Sequence, residues 1–231
     1  MGCGIPKQFR NLKDHPVVWW SMKAFHDEDP STAIILVLPE QFISLWKDYF
    51  DTLPSSERFE HLCVAGGSSR TESVSRGLSA IDNYDSLVAV HDGARPLINK
   101  AFVAEAWGKA EETGAAIPVI PVTDSLRRLK PGNSSLSEAT SRAAGSDQTY
   151  SCESEAVDRS MFVAVQTPQV FKTSLLKDAY AKGAGKTFSD DASVVEAAGG
   201  KVALFHGMPD NMKITNPKDL AVAAALMGFN G

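Results

Sequence analysis

Ser86-Leu-Val-Ala-Val-His-Asp-Gly-Ala-Arg-Pro96 is the stretch from which the rest of this chain is best read. The unbroken apolar run from Leu87 to Val90, with its β-branched residues, spells a buried strand that stops in a polar turn containing glycine. Strand ends of this kind are where open α/β sheets bind ligands. Asp92 sets a carboxylate at that edge, Gly93 lets backbone approach a flat or charged group, and Arg95 offers a planar fork of five donors. These are parts for holding a metal ion and a phosphate. The same residues also suit a plain surface turn in which Asp92 caps and Arg95 pairs, and taken alone they do not separate the two.

Outward from that stretch the chain repeats its pattern. Upstream, Asp14-His-Pro16 opens a helix whose Val17, Trp20 and Phe25 face inward, and Ala33 to Leu38 is a continuous apolar strand. A second helix carries Phe42, Leu45, Trp46 and Tyr49, and Leu62 to Val64 is a short strand before Gly66-Gly67. Small hydroxyl residues from Ser68 then open a helix with Val74, Leu78 and Ile81 at helical spacing. Downstream come a helix over Lys100 to Glu112, a strand over Ala115 to Val122, helices over Ser174 to Ala181 and Asp190 to Ala198, and a strand over Lys201 to Phe205. Asn211 to Thr215 reads as a short extended piece, and Asn216-Pro217 starts an alanine-rich closing helix. Strands separated by helices predict right-handed crossovers and an α/β fold with a mainly parallel, Rossmann-like sheet.

The alternation breaks between Asp124 and Asp158. Ser125 to Leu129 and Val157 to Phe162 are expected to be the two arms of an extended excursion, joined by a polar Ser, Gly and Thr stretch over Pro131 to Ser154. The whole of 1–231 reads as one domain with that arm inserted at about 124–158.

Composition limits the partners. A net charge of −5 disfavours nucleic acid, so any phosphate must be held by a local cluster of Lys and Arg. Apolar stretches are strand- or helix-sized, which predicts a soluble, cytoplasmic protein with no membrane span. Cys3, Cys63 and Cys152 are widely spaced and odd in number, against both a disulfide scaffold and a zinc site. The chain has no G-x-S-x-G and no H-E-x-x-H, and its histidines lie in no nucleophile motif. Four cations, Lys7, Arg95, Arg159 and Lys213, are instead candidates to gather around one cleft, where Asp92 and Asp210 would orient a magnesium ion.

Seven segments together resemble one family: Pro6-Lys-Gln-Phe9, Gly66-Gly67 with Arg70 and Ser73, Val90 to Pro96, Val157-Asp-Arg159, Gln166-Thr-Pro-Gln169, Ser189-Asp-Asp-Ala-Ser193 and Asn211-Met-Lys-Ile-Thr215. It is the family of 2-C-methyl-D-erythritol 4-phosphate cytidylyltransferases, and the match runs in order along nearly the whole chain. The resemblance implies the nucleotide-diphospho-sugar transferase type of fold with a protruding β-arm, and a homodimer formed through it. It implies a reaction of CTP with a polyol phosphate, dependent on magnesium, giving the CDP-polyol and pyrophosphate for isoprenoid precursor synthesis.

Carried over by position, the resemblance makes Lys7 a contact to the CTP phosphates and Gly67, Ser68 and Ser73 the readers of cytosine. Asp92, Gly93 and Arg95 would serve ribose, metal and the second substrate. Ser125 and Arg159 would reach the acceptor phosphate from the partner subunit, with Thr167 and Lys213 contributing from the same subunit. Two positions depart mildly from the family pattern: Ser68, where an acidic residue is frequent, and Ser125, where threonine is common. The family also has a strand and glycine-rich loop ahead of the Pro-Lys-Gln segment. The given sequence starts at the end of that loop, so either its start is not the native one or its activity is impaired. Ribitol phosphate or another polyol phosphate stays open as the acceptor, as does a nucleotide-binding paralogue without turnover.

Overall fold

A computed structural model describes residues 6–130, 153–183 and 185–229. The chain divides into two compact units, one of residues 1–119 with 165–231 and one of residues 120–164.

The larger unit opens with a tight hairpin, β1 (Asn11–Leu12) against β2 (His15–Pro16), with Lys13 left-handed at φ 54°. Helix α1 (Val17–Glu28) follows directly because Pro16 holds φ at −57° and leaves no amide to satisfy at the helix start. Next come β3 (Ile35–Leu38), α2 (Ile43–Thr52) and β4 (Leu62–Ala65), with β3 and β4 parallel from Ile35↔Leu62 to Leu38↔Ala65. Helix α3 (Arg70–Ser79) is capped by Ser69, whose side chain accepts from the Glu72 amide. After β5 (Leu87–Val90), α4 (Lys100–Thr113) is capped by Asn99 and ended by Gly114 at φ 83°, the left-handed conformation in which glycine carries no Cβ penalty.

Strand β6 (Ala115–Pro121) leads into the smaller unit. There β7 (Arg127–Leu129) pairs antiparallel with β8 (Ser154–Ala156), ahead of the short β9 (Val163–Val165). The expected second arm over Val157 to Phe162 is therefore not a strand. Asp158 accepts from the Ser160 amide and hydroxyl and folds Arg159–Met161 into a 3-10 turn, because an Asp side chain offers the backbone a local alternative to a ladder. Of the polar tip expected over Pro131 to Ser154, residues 131–152 lie outside the described residues, as do Cys3 and Cys152.

The chain returns through β10 (Gln169–Lys172), α5 (Thr173–Lys182), α6 (Asp191–Ala197), β11 (Ala203–His206) and α7 (Pro217–Phe229). The α/β, Rossmann-like class holds, and the pairing is mixed. Strand β11 is parallel to β6, whereas β10 inserts antiparallel to both β6 and β5. Among the described residues β3–β4 forms a separate two-stranded sheet. Asn211 to Thr215, expected to be extended, belongs to no strand; the Ile214 amide instead donates to the Ala94 carbonyl at 2.8 Å and ties this segment to the turn after β5.

Strand alternation sorts the core. Ala116, Val170 and Phe205 face α1 and α4, packing with Phe25, Phe102 and Val103, while Ala115, Ile117 and Phe171 face α5 and α6, packing with Leu176 and Val195. A third cluster surrounds the fully buried Trp46, whose indole Nε1 donates to His61 Nε2 at 2.7 Å. His61 Nδ1, 3.1 Å from the Phe59 carbonyl oxygen, therefore carries the ring proton, and burial lowers the pKa of His61 from its ordinary value. Below about pH 6.5 the unfolded chain binds the extra proton more readily, so this contribution to stability is complete above that pH and is lost on acidification. His61→Gln, which keeps an acceptor for Trp46 and removes the titration, is expected to flatten the fall in melting temperature between about pH 7 and 5. Parallel pH profiles for the two proteins would remove His61 as the cause.

Candidate active site

The turn after β5 is closed by the Arg95 amide donating to the Asp92 carbonyl at 2.9 Å. It presses against α1, where a Cβ at Gly93 would stand 3.1 Å from Val18 Cγ2. Two cations converge on one oxygen of Asp92: Lys213 Nζ at 3.0 Å and Arg95 Nε at 3.3 Å. Arg95 is further fixed by Nη1 donating to the Asn211 carbonyl at 2.7 Å. Burial pushes the Asp92 carboxyl upward, but the hydrogen bond and charge of Lys213 outweigh it and hold the group below the usual carboxylate range.

These three residues line a cavity of about 310 Å³ shared with Gln166, Thr167, Gln169, Asp190 and a further cation, Arg70. Its walls are built by the Gln166-Thr-Pro-Gln169 segment, which contains the cis peptide Thr167–Pro168. Gln166 is stapled to Met208, its Nε2 donating to the carbonyl at 2.8 Å and its Oε1 accepting from the amide at 3.1 Å. Gln169 Oε1 accepts from the first amides of α6, Asp191 at 3.1 Å and Ala192 at 3.0 Å, while its Nε2 donates to Asp190 Oδ2 at 2.9 Å. Two glutamines thus clamp this segment to its neighbours on either side, satisfying buried backbone groups that would otherwise be costly.

Arg70 reaches the cavity from α3. Its Nη2 lies 2.6 Å from Oδ2 of the fully buried Asp191, whose Oδ1 accepts from Tyr180 Oη at 2.6 Å. Burial alone would lower the Arg70 pKa, but its bond to Asp191 more than offsets this. Burial, then the charge of Asp191, pushes the Tyr180 hydroxyl well above its ordinary value.

The loop after β4 is shaped by Ser73, whose Oγ accepts from the Gly67 amide at 3.0 Å and donates to the Ser69 carbonyl at 2.8 Å. Gly67 is required there, since a Cβ would fall 2.2 Å from Glu72 Cγ and Cδ. Glu72 Oε2 accepts from the Ser68 amide at 2.7 Å and from its hydroxyl at 2.8 Å. Those bonds, with Arg76, pull the Glu72 carboxyl down to about 2.

The structure thus brings Asp92, Gly93, Arg95, Thr167 and Lys213 together and groups Gly67, Ser68 and Ser73 in one loop. Lys7 opens a 3-10 turn, Lys7–Phe9, and does not line the cavity; neither does the exposed Asp210. Ser125 and Arg159 are exposed residues of the smaller unit, where Arg159 Nη1 donates to the Thr123 carbonyl. Beyond the residues singled out as contacts, the structure adds Arg70, Gln169, Asp190 and His91. A cation four residues after Gly66 and two glutamines flanking Thr-Pro were the signals for the first two. His91 is half-buried with both ring nitrogens on protein partners, and burial pushes its pKa down to about 4.

No cluster of three His, Cys, Asp or Glu able to hold a metal occurs among the described residues. Asp190 accepts from Gln169, Ser189 and Ser193, whereas Asp92 has Lys213 and Arg95 on one oxygen only, which makes Asp92 the carboxylate more open to an ion in this cavity. One carboxylate fits magnesium, which binds through one or two carboxylates plus substrate phosphates and water rather than in an all-protein cage.

An α/β sheet whose strand ends carry a polar cavity lined by three cations and two carboxylates defines a phosphate-handling protein of the nucleotidyltransferase kind. The chain belongs to the family of 2-C-methyl-D-erythritol 4-phosphate cytidylyltransferases, whose family model, IspD, it matches over residues 1–228. It is 40% identical over 228 residues to the enzyme of that name from Phocaeicola vulgatus, covering 98% of this chain and 93% of that one. Its identity to the Bacillus licheniformis protein of the same name is 37% over 233 residues, covering 98% and 90%. The crystal structure of the Thermus thermophilus cytidylyltransferase superposes with a TM-score of 0.73 at 32% identity, covering 96% of this chain and 94% of that one. No helix among the described residues is long and apolar enough to cross a membrane.

Proposed function

We propose that this chain transfers the cytidylyl group of CTP to 2-C-methyl-D-erythritol 4-phosphate in isoprenoid precursor synthesis, in the cytoplasm and as a homodimer joined through the arm. A phosphate oxygen of the acceptor attacks the α-phosphorus of CTP; that P–O bond forms as the bond to the β-phosphate oxygen breaks, and pyrophosphate leaves. The observation that carries this reading is the convergence of Lys213 and Arg95 on Asp92 in a cavity that Arg70 also lines. Two anions must be brought into contact there. A cation about 4 Å from a phosphate oxygen contributes about 4 kcal/mol at an effective dielectric near 20, before desolvation.

In this assignment Lys213 meets the α-phosphate and the acceptor, Lys7 the triphosphate, and Gly67, Ser68 and Ser73 the cytosine. Asp92 and Gly93 take the ribose, and Asp92, Arg95 and Thr167 orient the acceptor. Magnesium, when bound, adds Lewis-acid neutralisation of the triphosphate, and Asp92 is the residue that would hold it. Ser125 and Arg159 act from the partner subunit on the acceptor phosphate.

Pyrophosphate release from CTP should be supported by 2-C-methyl-D-erythritol 4-phosphate and far less by ribitol 5-phosphate. A preference for ribitol 5-phosphate would reassign the acceptor, and CTP binding without pyrophosphate release would make the chain a non-catalytic member. Shared sites make a sharper prediction. A mixture of inactive Arg159→Ala and Lys213→Ala chains should regain about one quarter of wild-type activity, because half the dimers are hybrids with one intact site. If exchange of subunits is verified and no activity returns, the shared site is wrong.

A further inference from the structure

His91 stands behind the Asp92–Arg95 turn, edge-on to Phe25 with ring centroids 5.5 Å apart. Its Nε2 lies 3.1 Å from the carbonyl oxygen of Arg95, and its Nδ1 lies 3.0 Å from Thr167 Oγ1. A carbonyl oxygen can only accept, so Nε2 carries the ring proton. A neutral imidazole has one N–H, which leaves Nδ1 a bare lone pair. The Thr167 hydroxyl must therefore spend its single proton on Nδ1. The same oxygen already accepts from the Asp92 amide at 3.0 Å. The Thr167 hydroxyl therefore has no proton left to give, and Thr167 lines the cavity.

We infer that His91 is a positioning residue that fixes Thr167 as an acceptor-only hydroxyl, so that at this point the cavity takes a hydroxyl group of the polyol and turns away a phosphate oxygen. A phosphate oxygen, being an acceptor itself, would meet a lone pair there. Its partners are the cations Lys213, Arg95 and Arg70 on the same cavity. The cavity thereby separates polyol hydroxyls, which go to Thr167, from phosphate oxygens, which go to its cations and, for the acceptor phosphate, to Ser125 and Arg159 as assigned above. This deepens the acceptor reading above and rests on it.

Two measurements test it. Long-range proton–nitrogen correlations on the free, full-length protein at neutral pH should show His91 as the Nε2–H tautomer, and the Nδ1–H tautomer would overturn the inference. In the second, His91→Phe keeps the packing against Phe25 and frees the Thr167 proton. The KM for 2-C-methyl-D-erythritol 4-phosphate should rise about tenfold with the KM for CTP within about twofold of wild type. His91→Asn, whose Oδ1 overlays Nδ1 and still accepts from Thr167, should stay within about twofold on both, and it serves if the Phe variant does not fold. The decisive comparison is with Thr167→Val: adding His91→Phe to it should change the acceptor KM by no more than about twofold, because the two residues act as a unit. Multiplying effects would show that His91 acts otherwise than through Thr167. If the wild-type protein turns over no polyol phosphate, the functional reading fails, while the tautomer still decides the polarity of Thr167.

Discussion

Lys213→Ala is expected to lower kcat/KM for pyrophosphate release by about 10²- to 10³-fold, the loss that follows removal of one preorganised donor to developing charge. The ammonium owes its position to the neighbouring backbone: the Ile214 amide bonds the Ala94 carbonyl, and this sets Lys213 Nζ 3.0 Å from Asp92 Oδ2. The side chain is 41% exposed, so its ion pair contributes at most about 1 kcal/mol to folding and the melting temperature should barely move. Loss of rate without loss of fold separates chemistry from structure. Lys213→Arg should recover part of the activity, since a planar fork cannot occupy the place of a compact point charge without displacing Arg95. Activity of Lys213→Ala within about threefold of wild type would remove this residue from the reaction.

Asp191→Asn carries the largest expected cost to stability. The carboxylate has no exposed surface and holds Arg70 and Tyr180 on its two oxygens at 2.6 Å each. An amide fits the space, and its NH2 can donate to the phenol oxygen while its carbonyl keeps the guanidinium, but the negative charge that pairs with Arg70 is gone. Breaking one side of a buried pair costs about 3–5 kcal/mol, and because Arg70 is 34% exposed the lower end applies, about 3 kcal/mol. For a chain of this size that is a fall of roughly 6–12 °C in melting temperature. Arg70→Gln combined with Asp191→Asn should destabilise less than the sum of the two single changes, because the uncompensated guanidinium is gone. A fall of under about 2 °C for Asp191→Asn would mean that water already screens the pair. Arg70 lines the cavity, so Asp191→Asn should also weaken phosphate binding, although Asp191 itself does not line it.

How much of this was legible in the sequence follows from the range of the forces involved. The strand over Leu87–Val90, the helix caps at Ser69 and Asn99 and the stop at Gly114 are local, and local residue types announce them. The pairing of Asp92 with Arg95 is local too, three residues apart on one turn. Arg159–Met161 reads as extended yet folds as a turn, because a single Asp side chain, at position 158, outcompetes the β-arm for the backbone. The antiparallel place of β10 between β5 and β6 was not legible, because a buried strand shows the same apolar run whichever way it is paired.

By itself the sequence determined the α/β class, the family and the turn that carries Asp92 and Arg95: the turn rests on residues a few positions apart, and the class and the family rest on short local patterns whose order along the chain is read directly. The tertiary structure alone decided that Lys213 and Arg70, 121 and 22 residues from Asp92 in the sequence, would face one cavity with it, and that Asp210 would not. The physical reason is that a charge pair across the fold depends on where packing leaves each backbone. That packing is fixed by the sum of many apolar contacts and buried amide bonds, which no short pattern of residues records.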